Sequence, residues 1–335
     1  MKIIIDAYGG DNAPSEIIKG ALAALKEKEN FDLVFVGKES GIKSVLAGEE
    51  YDELRVSVVN AEDVISCNES PADAIRKKPD SSIVKSVKIL KDDDNAGAFV
   101  SAGSTGAVLT AAVLLSPRIK GVNRPALAPL FPNMKGGETL FLDCGANVDC
   151  KPINLVQFAL MGSVYMSEVK GVANPRVALL SNGTEDAKGN TLTKDAFALL
   201  KDCGGINFVG NMEARDILSG DYDVVVTDGF NGNIALKSME GAIGCIFTEL
   251  KKEIYSSFSS KIGGMLLKKS FKKIKDNNKR GGALLLGMQK TVVKAHGASK
   301  AEAFKNAVLQ AYECSSLDVS EKIGREIALS GGEPA

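Results

Sequence analysis

Along the chain, short β-branched or apolar runs alternate with longer stretches whose apolar residues return every three or four positions. That alternation is the pattern of an α/β protein with a largely parallel sheet. Strands are expected at Lys2–Ala7, Asp32–Gly37, Arg55–Asn60, Ala98–Ala102, Thr139–Asp143, Arg176–Ser181, Asn207–Val209 and Val224–Thr227. Between them the period predicts a helix from Pro14 to about Lys28, where Pro sits near the first turn and Ile17, Ile18, Ala21, Leu22 and Leu25 make one apolar stripe. Further helices are expected near Thr105–Leu115, Asn154–Val169, Thr191–Lys201, Asn233–Lys252 and Lys300–Ser315. Gly121 to Pro132 carries three prolines and is a candidate lobe boundary, although residues 1–335 also read as a single α/β catalytic domain. No internal repeat and no linker of low complexity is visible.

Composition narrows the classes. The chain has 335 residues, 44% of them apolar and 25% charged, enough to bury one large core or two moderate ones. A formal net charge of −1 argues against a nucleic-acid binder that works through global basicity. Six cysteines form no C-x-x-C pair, and with His296 as the only histidine there are too few soft ligands for a zinc site. Thiols spaced this widely suit buried positions in a reducing cytoplasm better than a disulfide framework. The opening MKIIIDAYGG is too short an apolar run for a signal peptide, and nowhere is there an apolar stretch of the roughly 18 residues a transmembrane helix needs.

The chemistry collects at the ends of the expected strands: DAYGGDNAP, SAGSTGA, DCGANVD, SNGTEDAKGN and DGFNGN. Each loop combines Gly with Ser, Thr, Asn or Asp and then opens a helix, so N–H groups and a helix N-terminus converge where an anion could sit. In open α/β sheets ligands bind beyond the carboxyl ends of strands. Neither G-x-G-x-x-G nor G-x-x-x-x-G-K-[ST] occurs, which disfavours a dinucleotide or P-loop site, and there is no G-x-S-x-G elbow. An enzyme built this way would take its nucleophile from a substrate. Lys188, on a Gly-flanked loop, is the best charged candidate for holding phosphate, and a solvated Lys at a helix start is the alternative. His296 could move a proton near neutrality or serve as a structural cap. Asp6, Asp11 and Asp228 suit the ordering of loops through backbone N–H groups better than direct catalysis.

These loops, with CNESPADAIRKKPDSS, RPALAPLFP, LDCGANVDCKP, GNMEARDI, VVVTDGFNGNIALKSMEG and KAHGAS, resemble in order and over nearly the whole chain the phosphate acyltransferases of bacterial phospholipid synthesis, the PlsX family. The resemblance implies transfer of a fatty acyl group from acyl carrier protein to inorganic phosphate, giving acyl phosphate. It implies a dimeric three-layer α/β/α fold similar to the isocitrate and isopropylmalate dehydrogenases, with no cofactor and no metal. Under it, Lys188, His296 and Asn231 become the catalytic candidates. Gly9, Gly10, Asp11, Ser101, Ser104, Thr105, Asn147, Asn182, Thr184, Asn190, Asp228 and Gly229 become candidates for binding phosphate or the acyl thioester. The chain departs from the family at Tyr8, where Met is usual, at Ser104, where Asn is usual, and at Met288, Gln289 and Lys290, where relatives are richer in glycine. A coenzyme A-dependent acyltransferase similar to phosphotransacetylase, a dehydrogenase on the same fold, and a non-catalytic scaffold for lipid-synthesis partners are the competing readings.

The small net charge hides a dipolar sequence. Lys251 to Arg280 carries a net +8, leaving −9 for the rest. Phe247, Leu250, Ile254, Phe258 and Ile262 keep helical spacing, Gly263 and Gly264 interrupt it, and Leu267, Phe271 and Ile274 resume it. Residues 247–280 therefore read as a protruding basic amphipathic helical pair. Phe258, Ile262, Leu267, Lys268, Lys269, Phe271, Lys272 and Lys273 are its candidate contacts with an anionic membrane or with acyl carrier protein; packing on the core or on a dimer mate is the other use of the same stripe. The expected location is the cytoplasm, with peripheral membrane association.

Overall fold

The computed structural model describes residues 1–257, 259–267 and 281–330. Its strands form two sheets. Seven lie in the order β3 (Val56–Asn60), β2 (Asp32–Gly37), β1 (Lys2–Asp6), β4 (Ala96–Ser101), β12 (Thr291–Lys294), β11 (Ala283–Leu286) and β5 (Ala126–Ala128). Neighbours are parallel except around β11, which runs against both β12 and β5. Five more lie in the order β6 (Leu130–Pro132), β7 (Glu138–Leu142), β10 (Val224–Val226), β8 (Arg176–Ser181) and β9 (Asn207–Glu213), with β6 and β7 antiparallel and the rest parallel.

Helices cover both faces, and the strand alternation says why. Ile3 and Ile5 of β1 enter one core with Leu33 and Phe35 of β2, while Ile4 enters another with Val34 and Val36. Full burial of each such side chain contributes about 2 kcal/mol. The first core is continuous across both sheets: it takes Leu140 and Leu142 from β7 and is closed by α1 (Ser15–Glu27), α6 (Pro152–Glu168) and the Ala301–Ser316 helix. The opposite face of the seven-stranded sheet is covered by α3 (Pro71–Lys77), α4 (Ser82–Asp92) and α5 (Thr105–Leu115). The opposite face of the second sheet meets Leu236 and Met239 of α8 (Gly229–Ser256).

Several elements differ from expectation. The proline-rich stretch is where the chain passes from one sheet to the other: β5 and β6 are consecutive, and this one extended segment edges both sheets. Pro129 O accepts from Phe141 N at 3.1 Å and Leu127 O from Cys144 N at 2.9 Å. Prolines are tolerated there because both strands lie at the edges of their sheets. β11 and β12, α2 (Glu39–Leu46), α3, α4 and the Val319–Leu329 helix were not anticipated. In α4, Ser82 and Ser86 occupy buried positions and interrupt the apolar stripe. The thiols are also less buried than expected: Cys144 and Cys314 are, but Cys67 and Cys245 are exposed.

The register aims the loops at one another. Lys294, ending β12, stands opposite Ala283, beside the pairing of Leu284 with Ala128. Running the other way, β7 ends so that Asp143 accepts from Leu127 N at 2.9 Å. The carboxyl edges of both sheets therefore converge on residues 127–129. α8 leaves this region with only Gly229 and Gly232 buried. Farther along, Ile243, Ile246, Phe247 and Leu250 are exposed. The helical segment 259–267 folds back on it, since a Cβ on Gly264 would strike Ile254. Residues 268–280 of the expected pair lie outside the described residues.

Candidate active site

Three adjacent strands, β1, β4 and β12, end in Asp6, Ser101 and Lys294. Each follows, two positions on, a residue of the core beneath α3–α5, namely Ile4, Phe99 and Val292, so all three side chains emerge on that face. Ser101 Oγ donates to Asp6 Oδ2 at 2.6 Å and accepts from Gly103 N at 3.0 Å. Asp6 is fully buried, and burial raises its carboxyl above the ordinary range, opposed by hydrogen bonds from Ser101, Ser82 and Tyr8 N–H. Gly9 has to be glycine because a Cβ there would collide with the Asp6 carboxylate and with Gly103 N. Gly10 takes φ +97°, and the next N–H, of Asp11, donates to Gly297 O at 2.9 Å. Asn12 Nδ2 donates to Ala298 O and Ser299 O at 3.2 Å. These bonds set the first loop beside the loop of His296, which is exposed. Its Nδ1 accepts from Ala298 N at 3.2 Å. Ser104 caps α5 through a long bond from Ala107 N (3.5 Å), and exposed Thr105 begins the helix, with first-turn N–H groups that have no intrahelical acceptor.

The second group is built on β7 and β10. Asp143 accepts from Leu127, Gly145, Ala146 and Asn147 N–H groups and from Asn147 Nδ2. Burial raises its carboxyl, and the N–H groups of Ala146, Leu127 and Asn147 pull the other way. Asn147 spends its other amide hydrogen on Pro125 O at 2.7 Å, so it builds the loop from both hydrogens. Asp228 caps α8 by accepting from Phe230 N at 3.0 Å and Asn231 N at 2.9 Å, and Asn231 Nδ2 donates to it at 2.7 Å. Asn231 keeps one amide hydrogen for a ligand. Gly229 N donates to Asn147 O at 2.8 Å, joining the two loops.

The third group follows β8. Asn182, Thr184, Lys188 and Asn190 are exposed, and Asn190 caps α7 (Thr191–Lys201) by accepting from Thr193 N at 2.9 Å. No hydrogen bond among the described residues ties this loop to the other two. Of the proposed helical contacts, Ile262 and Leu267 are exposed, whereas Phe258, Lys268, Lys269, Phe271, Lys272 and Lys273 lie outside the described residues.

Sequence reasoning missed Lys294. It is 8% exposed, and its Nζ donates to Ala295 O. Burial pulls its ammonium down to about 8, while the charges of Asp6 and Asp11 act against that. The available signal was the short run Thr291–Val293 before KAHGAS, which marks a strand ending at this lysine. Tyr8 is accommodated by glycines, its ring lying where Cβ atoms of Gly37 and Gly41 would be. Lys290 is anchored, donating to Leu90 O and Asp93 O at 2.7 Å, which fixes the start of β12.

A family model described as fatty acid synthesis protein matches residues 1–322. The phosphate acyltransferase of Clostridium novyi (strain NT) is 49% identical over 330 residues, covering 98% of each chain. That of Halothermothrix orenii is 48% identical over 335 residues, covering 99% of this chain and all of its own. The chain belongs to the phosphate acyltransferase family. Among solved structures, a phosphotransacetylase from Streptococcus pyogenes superposes with a TM-score of 0.63 at 17% identity, covering 94% of both chains. One from Staphylococcus aureus does so at 0.58 and 16%, covering 96% of this chain and 94% of its own. At these identities the likeness is one of fold, and it agrees with the α/β architecture above. No described helix of this phosphate acyltransferase family member is long and apolar enough to cross a membrane.

Proposed function

We propose that the protein transfers a fatty acyl group from acyl carrier protein to inorganic phosphate, releasing acyl phosphate and the carrier thiol. Family membership supports acyl transfer involving phosphate. The observation that supports the mechanism is the approach of the first two glycine-rich loop groups and their helix N-termini at the strand ends, beside Lys294, with no activated nucleophile among the described residues. The thiols of the second group are held protonated by burial: Cys144 is raised well above its ordinary value and Cys150 to about 11. Phosphate is then the nucleophile. One of its oxygens attacks the thioester carbonyl carbon, and the carbonyl electrons move to an oxyanion. When the carbonyl re-forms, the C–S bond breaks and its electron pair leaves on sulfur. The thiolate, whose parent thiol has a pKa of about 8.5, takes up the proton that phosphate gives up on becoming the more acidic acyl phosphate, and His296, exposed beside the first loop, is the candidate to carry it. Lys188, the free amide hydrogen of Asn231 and the N–H groups at the start of α5 are donors for phosphate and the oxyanion.

The exposed apolar row on α8 and the basic block that follows suit an acidic carrier protein, an anionic bilayer or a second copy of this chain. Reversal of charge at Lys268, Lys269, Lys272 and Lys273 separates the first two: loss of salt-sensitive liposome sedimentation alone identifies the membrane, and loss of carrier binding alone identifies the carrier. The reaction itself is tested by thiol release from acyl carrier protein. Release that requires phosphate is expected; no release at all favours a scaffold, and equal release from acyl coenzyme A favours the phosphotransacetylase-like alternative.

A further inference from the structure

Lys294 is more than nine-tenths buried, yet among the described residues it forms no ion pair within 4 Å. An ammonium has three hydrogens, and Ala295 O takes one. Burial of a charge is unfavourable unless something compensates it. The two carboxylates facing it do not close on it: Asp6 is turned to Ser101, and Asp11 is exposed on its loop. The other groups facing it are a second cation, Lys237 of α8, and the Cys67 thiol from the loop before α3. Lys237 is itself paired with Glu240 at 2.7 Å. Among the described residues, then, no carboxylate compensates the Lys294 charge at ion-pair distance.

The neighbouring strand supplies the rest of an anion site. Lys294 pairs with Ser101, and Ala295 N donates to Ser101 O at 2.9 Å, so the lysine stands beside the loop from Ser101 into α5. The eleven-residue α5 begins there, and its unmatched N–H groups carry partial positive charge. Lys188, by contrast, is exposed. An attraction at an effective dielectric of about 20 is about four times what the same pair feels in water.

We propose that Lys294, at the end of β12, is the residue whose ammonium binds inorganic phosphate together with the N-terminus of α5. This deepens the proposed phosphate transfer and rests on it; Lys188 is left to the thioester oxyanion. Above neutrality phosphate draws a proton onto Lys294, because an anion at the site favours the charged amine.

The test is equilibrium binding of labelled inorganic phosphate to the full chain without any acyl donor. In Lys294→Met affinity should fall at least about 10-fold, the worth of a hydrogen bond to a charged group, and Lys294→Arg should recover part of it. Titration calorimetry of the wild type near pH 9, in two buffers of different ionisation enthalpy, should show proton uptake that the Met variant lacks. Should the variant fold poorly, wild-type protein suffices: cyanate modification of Lys294, followed by mass spectrometry, should slow when phosphate is added. Affinity within twofold of wild type in Lys294→Met, or unchanged modification with phosphate, overturns the assignment. Lys294-dependent phosphate binding without thiol release from acyl carrier protein leaves it standing and removes the proposed acyl donor.

Discussion

Replacement of Lys294 by Met should make the protein more stable while weakening its function. Burial lowers the ammonium from 10.5 to about 8, and each tenfold change in a proton equilibrium is worth 1.36 kcal/mol, so the charged lysine costs the folded chain about 3 kcal/mol. The sign follows from proton counts. Below pH 8 both folded and unfolded chains hold the proton and the full cost is present. Between pH 8 and 10.5 the unfolded chain holds more protons, so stability rises with pH through that window. Met keeps the aliphatic stem and removes the charge, but it leaves Ala295 O without the Nζ donor, a loss of about 1 kcal/mol. The net expectation at pH 7 is a variant about 2 kcal/mol more stable in urea unfolding followed by circular dichroism. At pH 10 the advantage should shrink by about that amount, because the wild type has by then shed its charge. Other groups titrating in this range are common to both proteins and cancel in the difference. A variant less stable than wild type at pH 7, or an advantage identical at both pH values, refutes the reasoning.

Gly232→Ala should destabilise by about 3 kcal/mol and abolish turnover, because the new Cβ would collide with Asp143 O; thermal unfolding and thiol release check both. Asp228→Ala removes the acceptor for Phe230 N and Asn231 N and should cost about 1–2 kcal/mol, with Asp228→Asn restoring most of it in the same melts. Lys188→Ala should abolish acyl phosphate formation while changing stability by no more than about 0.5 kcal/mol, since the side chain is exposed; near-normal turnover by a folded variant would remove it from the mechanism.

Alternation of apolar residues was enough to read the α/β class and most of the long elements, because Ile3 to Ile5 and Leu33 to Val36 are fixed by burial on both faces. It failed where an element is too short to show a period. β5 and β6 have three residues each among Pro125, Pro129 and Pro132, and β11 and β12 have four. Missing β12 hid Lys294, which looked like part of a loop and proved to be a buried strand end. The candidate loops were legible as groups because glycine clusters follow strands. Which polar atoms remain free was not, since that depends on partners distant in sequence. Ser101 serves Asp6, 95 positions away, and Asn147 serves Pro125 and Asp143. The hydrogen bonds that bring the His296 loop to Asp11 and Asn12 span nearly the whole chain.

The origin of the product's oxygen tests the chemistry most directly. Purified protein would be supplied with acyl carrier protein loaded with a fatty acyl group and with phosphate fully labelled with heavy oxygen, and the acyl product read by mass spectrometry. Acyl phosphate retaining every labelled oxygen, formed in step with free thiol, is the expected result. Unlabelled fatty acid formed at the same rate with or without phosphate would mean that water is the nucleophile, and would contradict phosphate transfer.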